Sequence, residues 1–113
     1  MKKIISFSLW GDNTKYCVGA VKNAVLAKQL LRCGTSIGAN VEEANQAESC
    51  ADFIHKLSIA NKEANETDYW LHLLKDSNTL RSVNADELIS SCQELEKLMT
   101  VILKTTKNNS KRH

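Results

Sequence analysis

One stretch of the sequence decides the fold: Phe53-Ile-His-Lys-Leu-Ser-Ile-Ala-Asn-Lys-Glu-Ala-Asn-Glu-Thr-Asp-Tyr-Trp-Leu-His-Leu-Leu74. Apolar and small residues recur in it at alternating spacings of four and three, which is the period of a helix with one buried face. The period predicts a long amphipathic helix whose seam is buried in a helical bundle, and Trp70 widens that buried face. The seam consists of Phe53, Leu57, Ala60, Ala64, Thr67, Leu71 and Leu74.

The start of this helix is marked by a capping signal. Ser49 and Asp52 are three residues apart and resemble a capping box, in which the serine side chain accepts a hydrogen bond from a free backbone amide. We therefore predict a helix over residues 50–76. A second cap is predicted at Asn84, at the start of the last helix.

Two further segments show the same period on either side of this helix. The first covers about residues 23–46 and carries Leu30 and Ile37 on its apolar stripe, and the second covers about residues 85–105 and carries Leu95. Three stripes of this width need more cover than three helices easily give one another, so a fourth helix or a neighbouring subunit should complete the core. The sequence predicts an all-α fold, an antiparallel helical bundle whose first helix is atypical or incomplete.

The first residues of the chain depart from this pattern. Residues 4–10 alternate apolar and polar side chains at the period of a strand, and a helix could begin after Asn13. We expect residues 1–12 to form an atypical segment outside the core, residues 13–106 to form the bundle domain, and residues 107–113 to form a basic disordered tail.

The positive charge of the chain is concentrated at its end. Residues 1–103 contain 11 lysines and arginines against 13 aspartates and glutamates, although the whole chain carries a net charge of +2. The last ten residues contain Lys104, Lys107, Lys111 and Arg112 and no acidic residue. These four are the candidate nucleic-acid-binding residues, and a merely solvated tail is an equally open interpretation.

Cysteine and hydropathy patterns point to a cytoplasmic protein. None of the four cysteines forms a C-x-x-C spacing, and Cys33 and Cys92 fall on apolar helical stripes, as reduced thiols in a core do. This favours a reducing compartment. No apolar run approaches the ~20 residues that span a bilayer, so no membrane association is expected.

No catalytic or metal site is expected from the motifs. Carboxylates on neighbouring helices can hold metal ions in a bundle, but those sites also use Glu-x-x-His, which does not occur here. There is neither a nucleophile elbow nor a phosphate-binding loop, so we expect no enzymatic activity and no cofactor. We expect the carboxylates of Glu42, Glu43, Glu63 and Glu66 to pair with Arg32, Lys56 and Lys62.

Two polar or aromatic positions admit more than one interpretation. Asn40 falls on the apolar stripe of the first helix, where a buried amide can fix register and partner number, with a ligand role as the alternative. Trp70 follows Tyr69 and lies beside the seam. Packing in the core or at a subunit interface is favoured there, and stacking on a base is the alternative.

Two long motifs carry a family resemblance. Lys28-Gln-Leu-Leu-Arg-Cys-Gly-Thr-Ser-Ile-Gly-Ala-Asn-Val-Glu-Glu-Ala44 and Asp52-Phe-Ile-His-Lys-Leu-Ser-Ile-Ala-Asn-Lys-Glu-Ala-Asn-Glu-Thr-Asp-Tyr-Trp-Leu71 resemble the bacterial four-helix-bundle proteins encoded in 23S rRNA intervening sequences. The resemblance covers roughly residues 25–108. It implies an up-down four-helix bundle that assembles into a ring, typically a pentamer, without known enzymatic activity. Some members resemble retroelement accessory proteins that bind nucleic acid and a reverse transcriptase.

Residues 1–24 show a different resemblance. Lys3-Ile-Ile-Ser-Phe-Ser-Leu-Trp-Gly-Asp-Asn-Thr-Lys-Tyr-Cys-Val-Gly-Ala-Val-Lys-Asn-Ala24 is similar to the opening strand, turn and helix of bacterial glycosyltransferase-like proteins. The rest of such a domain does not follow, so no glycosyltransferase activity is expected. The sequence is interpreted as one family's start joined to most of another.

Two functions from different classes follow. The first is an oligomeric adaptor or assembly factor associated with RNA or DNA, which the resemblance and the basic tail favour. The second is a structural or protein-interaction bundle without nucleic-acid binding, which the nearly neutral body without a basic helical face favours. The expected partners are further copies of the chain, RNA or DNA, and a protein.

Overall fold

The protein consists of three long helices in the part of the chain that the computed structural model describes, residues 24–77 and 82–111. These are α1 (Ala24–Asn45), α2 (Cys50–Asp76) and α3 (Ser82–Lys111). No strand occurs within those two ranges, so the all-α prediction is confirmed for them. The strand-like residues 4–10 and the helix predicted after Asn13 lie outside the described residues.

Helix α2 begins and ends where its sequence predicts. Ser49 has an extended backbone with φ −145° and ψ 163°, and its Oγ accepts a hydrogen bond of 3.0 Å from the Asp52 amide. The last turn closes with a hydrogen bond of 3.0 Å from the Ser77 amide to the Leu73 carbonyl oxygen. Capping at both ends satisfies backbone groups that a helix terminus leaves free.

The helices run antiparallel, with α2 in the middle. Helix α2 packs against both α1 and α3, whereas the backbones of α1 and α3 do not approach each other anywhere in the described ranges. Between neighbouring helices, residues with higher numbers on one helix contact residues with lower numbers on the other, as antiparallel packing requires. The contacts are Arg32 with Glu66, Glu43 with Lys56, Lys75 with Asp86, and Ala64 with Cys92.

The core follows the apolar stripes of the three helices. Thr67 is its one buried polar residue among those described, and its hydroxyl donates to the Glu63 carbonyl oxygen at 2.8 Å, so the buried oxygen is satisfied within its own helix. Of the residues predicted for the core or assembly, Asn40, Phe53 and Trp70 are half-buried. The others are buried: Leu30, Ile37, Leu57, Leu71, Leu74 and Leu95.

Helix α3 is longer than its sequence predicts at both ends. It begins at Ser82, so Asn84 lies inside the helix and not at its cap. It continues to Lys111, whereas we expected the helix to end near residue 105 and residues 107–113 to be disordered. Leu103 is buried and anchors the last packed turn. The helix continues past Leu103 although five of the eight residues 104–111 are threonine, asparagine or serine, which are poor helix formers.

Leu71→Asp should unfold the protein or lower its stability by about 3–5 kcal/mol, because it places an unpaired carboxylate in the fully buried seam. Val101→Asp is the control, since it makes an apolar-to-acidic change at a position that is 61% exposed. Urea denaturation followed by circular dichroism measures both. Equal midpoints for the two variants would contradict the seam assignment.

Ser49→Ala should destabilise the protein by about 1 kcal/mol, because the amide at the start of α2 loses its acceptor. Ser49→Asp should restore most of this loss, since aspartate is an equally good cap. The denaturation midpoints of the two variants distinguish a lost cap from lost packing. A Ser49→Asp variant as unstable as Ser49→Ala would show that the cap contributes nothing.

Candidate functional site

The C-terminal half of α3 carries an array of lysines on one face, formed by Lys97, Lys104, Lys107 and Lys111 and called the basic face below. At about 100° per residue, these four positions fall within about 80° of the helix circumference and span about 21 Å along the axis. Lys97, Lys104 and Lys107 are exposed, and Lys111 ends the helix. Arg112 lies outside the described residues.

The described lysines of this face are not paired with acidic side chains. The sequence contains no acidic residue after Glu96, and none of the exposed lysines Lys97, Lys104 and Lys107 belongs to an ion pair formed by the described residues. The expectation that the body lacks a basic helical face is therefore wrong. That expectation assumed that the last helix ends near residue 105. It also left Lys97, seven residues before Lys104, out of the group of C-terminal lysines.

A second polar site lies between α1 and α2. Arg32 Nη2 donates a hydrogen bond of 2.7 Å to Glu66 Oε1, and Arg32 Nη1 lies 3.5 Å from Glu63 Oε2. The same Nη2 is 3.0 Å from the buried Cys33 Sγ. Farther along, Lys56 pairs with Glu43 at 3.2 Å. Arg32 and Lys56 thus pair with carboxylates as predicted, while Lys62 forms no ion pair within the described ranges.

Cys33, Glu63 and Glu66 are the only described set of three side chains that could hold a metal ion, with their ligand atoms within 4.8 Å of one another. Burial, followed by the hydrogen bond to Glu66, raises the pKa of Cys33 to about 12, so the thiol stays protonated. That hydrogen bond, together with Arg32, lowers the pKa of Glu66. The guanidinium therefore already supplies the positive charge that the two carboxylates require.

Asn40 and Trp70 have contacts within their own helices. Asn40 Nδ2 donates to the Ser36 carbonyl oxygen at 2.9 Å and contacts Ser36 Oγ at 3.1 Å. The Trp70 ring meets the exposed Tyr69 ring edge-on, with centroids 5.7 Å apart. Trp70 Nε1 is buried without a hydrogen bond of good geometry, although its proximity to Glu66 helps to lower the pKa of that carboxylate. None of these contacts tests the role in helix register that was predicted for Asn40, so that role stays a prediction.

A third polar site lies between α2 and α3 and was missed in the sequence. His72 Nε2 lies 3.5 Å from Asp68 Oδ1, and Cys92 Sγ donates to the Ala64 carbonyl oxygen at 3.2 Å. Glu96 Oε1 is 3.7 Å from the same thiol. The sequence positions could have indicated this site. Asp68 directly follows the seam residue Thr67, and Glu96 lies four residues after Cys92 on the facing helix.

None of the helices in the described ranges is long and apolar enough to cross a membrane.

Comparison with known proteins adds the family. No curated protein matches the chain. A solved structure from Bacteroides thetaiotaomicron, of unknown function and from the S23 ribosomal protein family, is similar at 45% identity and a TM-score of 0.79. The alignment covers 91% of this chain and 96% of that one.

The family profile also corrects the interpretation of the N-terminus. The profile of the 23S rRNA-intervening sequence protein matches residues 10–101. The match includes residues 10–24, which we had assigned to the glycosyltransferase-like start, so that second resemblance is not supported. The family resemblance noted for residues 25–108 is confirmed, and this chain belongs to the 23S rRNA-intervening sequence protein family.

Proposed function

We propose that this protein is a non-enzymatic, oligomeric helical-bundle protein that associates with RNA or DNA as an adaptor or assembly factor. The observation that carries the proposal is the basic face of α3, whose exposed lysines have no acidic partner. Lysines in such an array bind phosphates and release condensed counterions, which supplies affinity without sequence recognition. The name of the family, which refers to an insertion in ribosomal RNA, gives independent support.

Oligomerisation would multiply this effect. Each chain contributes only a few positive charges, which bind nucleic acid weakly on their own. In a ring of identical subunits every copy of the basic face is held near the others, so the effective concentration of lysines around one nucleic acid rises steeply. We propose a homo-oligomer, with the pentamer implied by the family resemblance as the specific expectation.

We also infer a four-helix bundle. Helices α1 and α3 each pack on α2 without approaching one another in the described ranges, which is how diagonally opposite helices of such a bundle are related. Three corners of the bundle are then α1, α2 and α3. The family match extends to residue 10, well before α1, which is consistent with a further element of the same domain.

A non-enzymatic role in the cytoplasm is supported by the thiols. Cys33 and Cys92 are buried free cysteines, and burial raises the pKa of each thiol, so neither is poised to act as a nucleophile. Cys50 is also free and is exposed. Free thiols on the surface and in the core suit a reducing compartment.

The alternative is a structural or protein-interaction bundle without nucleic-acid binding. One observation favours it: Tyr69 and Leu73, one turn apart on α2, are exposed to 63% and 40%. Exposed aromatic and aliphatic side chains of this kind are enriched where proteins contact each other.

Replacing Lys97, Lys104 and Lys107 by glutamine should weaken binding to a generic duplex and lower the slope of log K against log salt by up to about 0.9 per lysine that contacts a phosphate. The matched control replaces Lys28 and Lys62, exposed lysines of α1 and α2, and should keep the slope of the parent protein. Fluorescence anisotropy at several salt concentrations measures both. No binding by the parent protein at low salt would favour the alternative function.

Light scattering should give a mass several times the 12.6 kDa of one chain, and close to fivefold for a pentamer. The mass should not change when Lys97, Lys104 and Lys107 become glutamine, because assembly is expected to use apolar contacts and not the basic face. A monomeric mass at micromolar concentration would contradict the oligomer. A mass that falls in the lysine variant would place the basic face in the subunit interface.

A further inference from the structure

Two acidic side chains, Asp68 of α2 and Glu96 of α3, interact at the α2–α3 contact. Asp68 extends from α2 with a side chain that is only 22% exposed, and Glu96 extends from α3 and is half-buried. Each follows a buried seam residue, Thr67 or Leu95, so both lie at the edge of the apolar core. No lysine or arginine among the described residues forms an ion pair with either one.

The hydrogen bonding of this pair is incomplete as long as both groups are ionised. Asp68 Oδ1 is buried and accepts no hydrogen bond, although His72 Nε2 approaches it to 3.5 Å. The Cys92 thiol has one proton to donate, and the Ala64 carbonyl oxygen at 3.2 Å is closer to it than Glu96 Oε1 at 3.7 Å. A buried acceptor without a donor is costly, so the arrangement lacks one proton.

The titration behaviour of Glu96 agrees with this geometry. Burial, and then the charge of the adjacent Asp68, raise the pKa of Glu96 to about 7. Two acidic groups in contact cannot both ionise easily, and the first to hold a proton becomes the donor to the other. A carboxyl group with a pKa of about 7 is half protonated at pH 7, so Glu96 gains or loses its proton around neutral pH.

We propose that Asp68 and Glu96 form a proton-binding site that joins α2 to α3. The protonated carboxyl group of Glu96 donates a hydrogen bond to the carboxylate of Asp68. Loss of this proton leaves two negative charges in a partly buried contact, and α3 is then held less tightly on α2. The α2–α3 contact thereby responds to pH near neutrality, independently of any nucleic acid.

The sign of the effect follows from linkage. In the unfolded chain Glu96 regains its ordinary pKa, so between that value and about 7 the folded protein holds a proton that the unfolded chain has released. Stability from this site is complete below the unfolded pKa, falls as pH rises through this window, and is constant above it.

The other titratable groups in the cluster act differently. His72 Nε2 lies 3.5 Å from Asp68 Oδ1, and this histidine pairs with the carboxylate only when it is charged. Burial raises the pKa of Cys92, so its thiol stays neutral through the same window. His72 is therefore the one group whose contribution must be separated from that of Glu96.

The test is urea denaturation of the full chain between pH 5 and pH 8, comparing the parent protein with Glu96→Gln. Glutamine reproduces the neutral hydrogen-bond donor at all pH values. At pH 8 the variant should have a folding equilibrium constant about tenfold or more above that of the parent, since a pKa difference of one unit corresponds to tenfold. At pH 5 the difference should shrink to about fivefold or less, because the folded parent is then protonated as well and only the unfolded chain has released most of its proton.

Matched variants separate the contributions. Glu94→Gln makes the same change at an exposed position two residues away and should keep the pH dependence of the parent. His72→Gln should keep the part that depends on Glu96. A Glu96→Gln variant with the pH dependence of the parent, or one less stable than the parent at pH 8, would overturn the proposal.

Two measurements on the parent protein remain decisive if a variant does not fold. The carboxyl carbon of Glu96, followed by NMR, should titrate with a midpoint near 7, and a midpoint in the ordinary range of glutamate would overturn the shared proton. Amide hydrogen exchange, corrected for the intrinsic effect of pH, should speed up in α3 around Cys92 and Glu96 between pH 6 and 8. Unchanged protection there would overturn the loosening of α3.

Discussion

The seam of α2 is the constraint on which the rest of the described structure depends. Because α1 and α3 do not approach each other, each is held in place through α2. The seam can serve two neighbours because its middle is built from small residues, with Ala60, Ala64 and Thr67 fully buried. Small side chains let a neighbouring backbone come close, and the Cys92 thiol accordingly reaches the Ala64 carbonyl oxygen at 3.2 Å. A larger residue at Ala64 would force α3 outward.

Close packing on both sides of α2 brings acidic side chains to both interfaces, and the two interfaces neutralise them differently. Against α1, the carboxylates of Glu63 and Glu66 share the guanidinium of Arg32, a cation at every physiological pH. Against α3, no arginine or lysine within the described ranges pairs with Asp68 or Glu96, and in the proposed site a proton takes the place of the cation. One helix therefore has a contact on one side that stays paired around neutral pH, because the hydrogen bond from Cys33, together with Arg32, lowers the pKa of Glu66, and a contact on the other side that titrates near neutral pH.

The sequence predicted those parts of the fold that a single helix determines. The period of the seam and the Ser49 cap depend only on local spacing, and the bounds of α2 follow from them directly. The Asp68–Glu96 contact depends on which residue of α3 lies opposite which residue of α2, and no local pattern contains that register. The end of α3 was missed because polar residues were taken as the end of the helix, whereas the helix continues for about two turns beyond the buried Leu103. The N-terminal resemblance rested on a short segment, where chance similarity is common.

The length of α3 changes what its lysines can do. In a disordered tail each lysine would move independently, and binding would have to order the backbone, at about 1–2 kcal/mol per residue fixed. In the helix, Lys97 and Lys104 are seven residues and about 10.5 Å apart, so the face from which they extend is set before any ligand arrives. The sequence holds no phenylalanine, tyrosine or tryptophan after Trp70, so the basic face offers no ring on which a base could stack. Under the proposed function, this face would contact phosphates and would not distinguish base sequence, so any specificity for a particular RNA or DNA would have to come from another surface or from a partner protein.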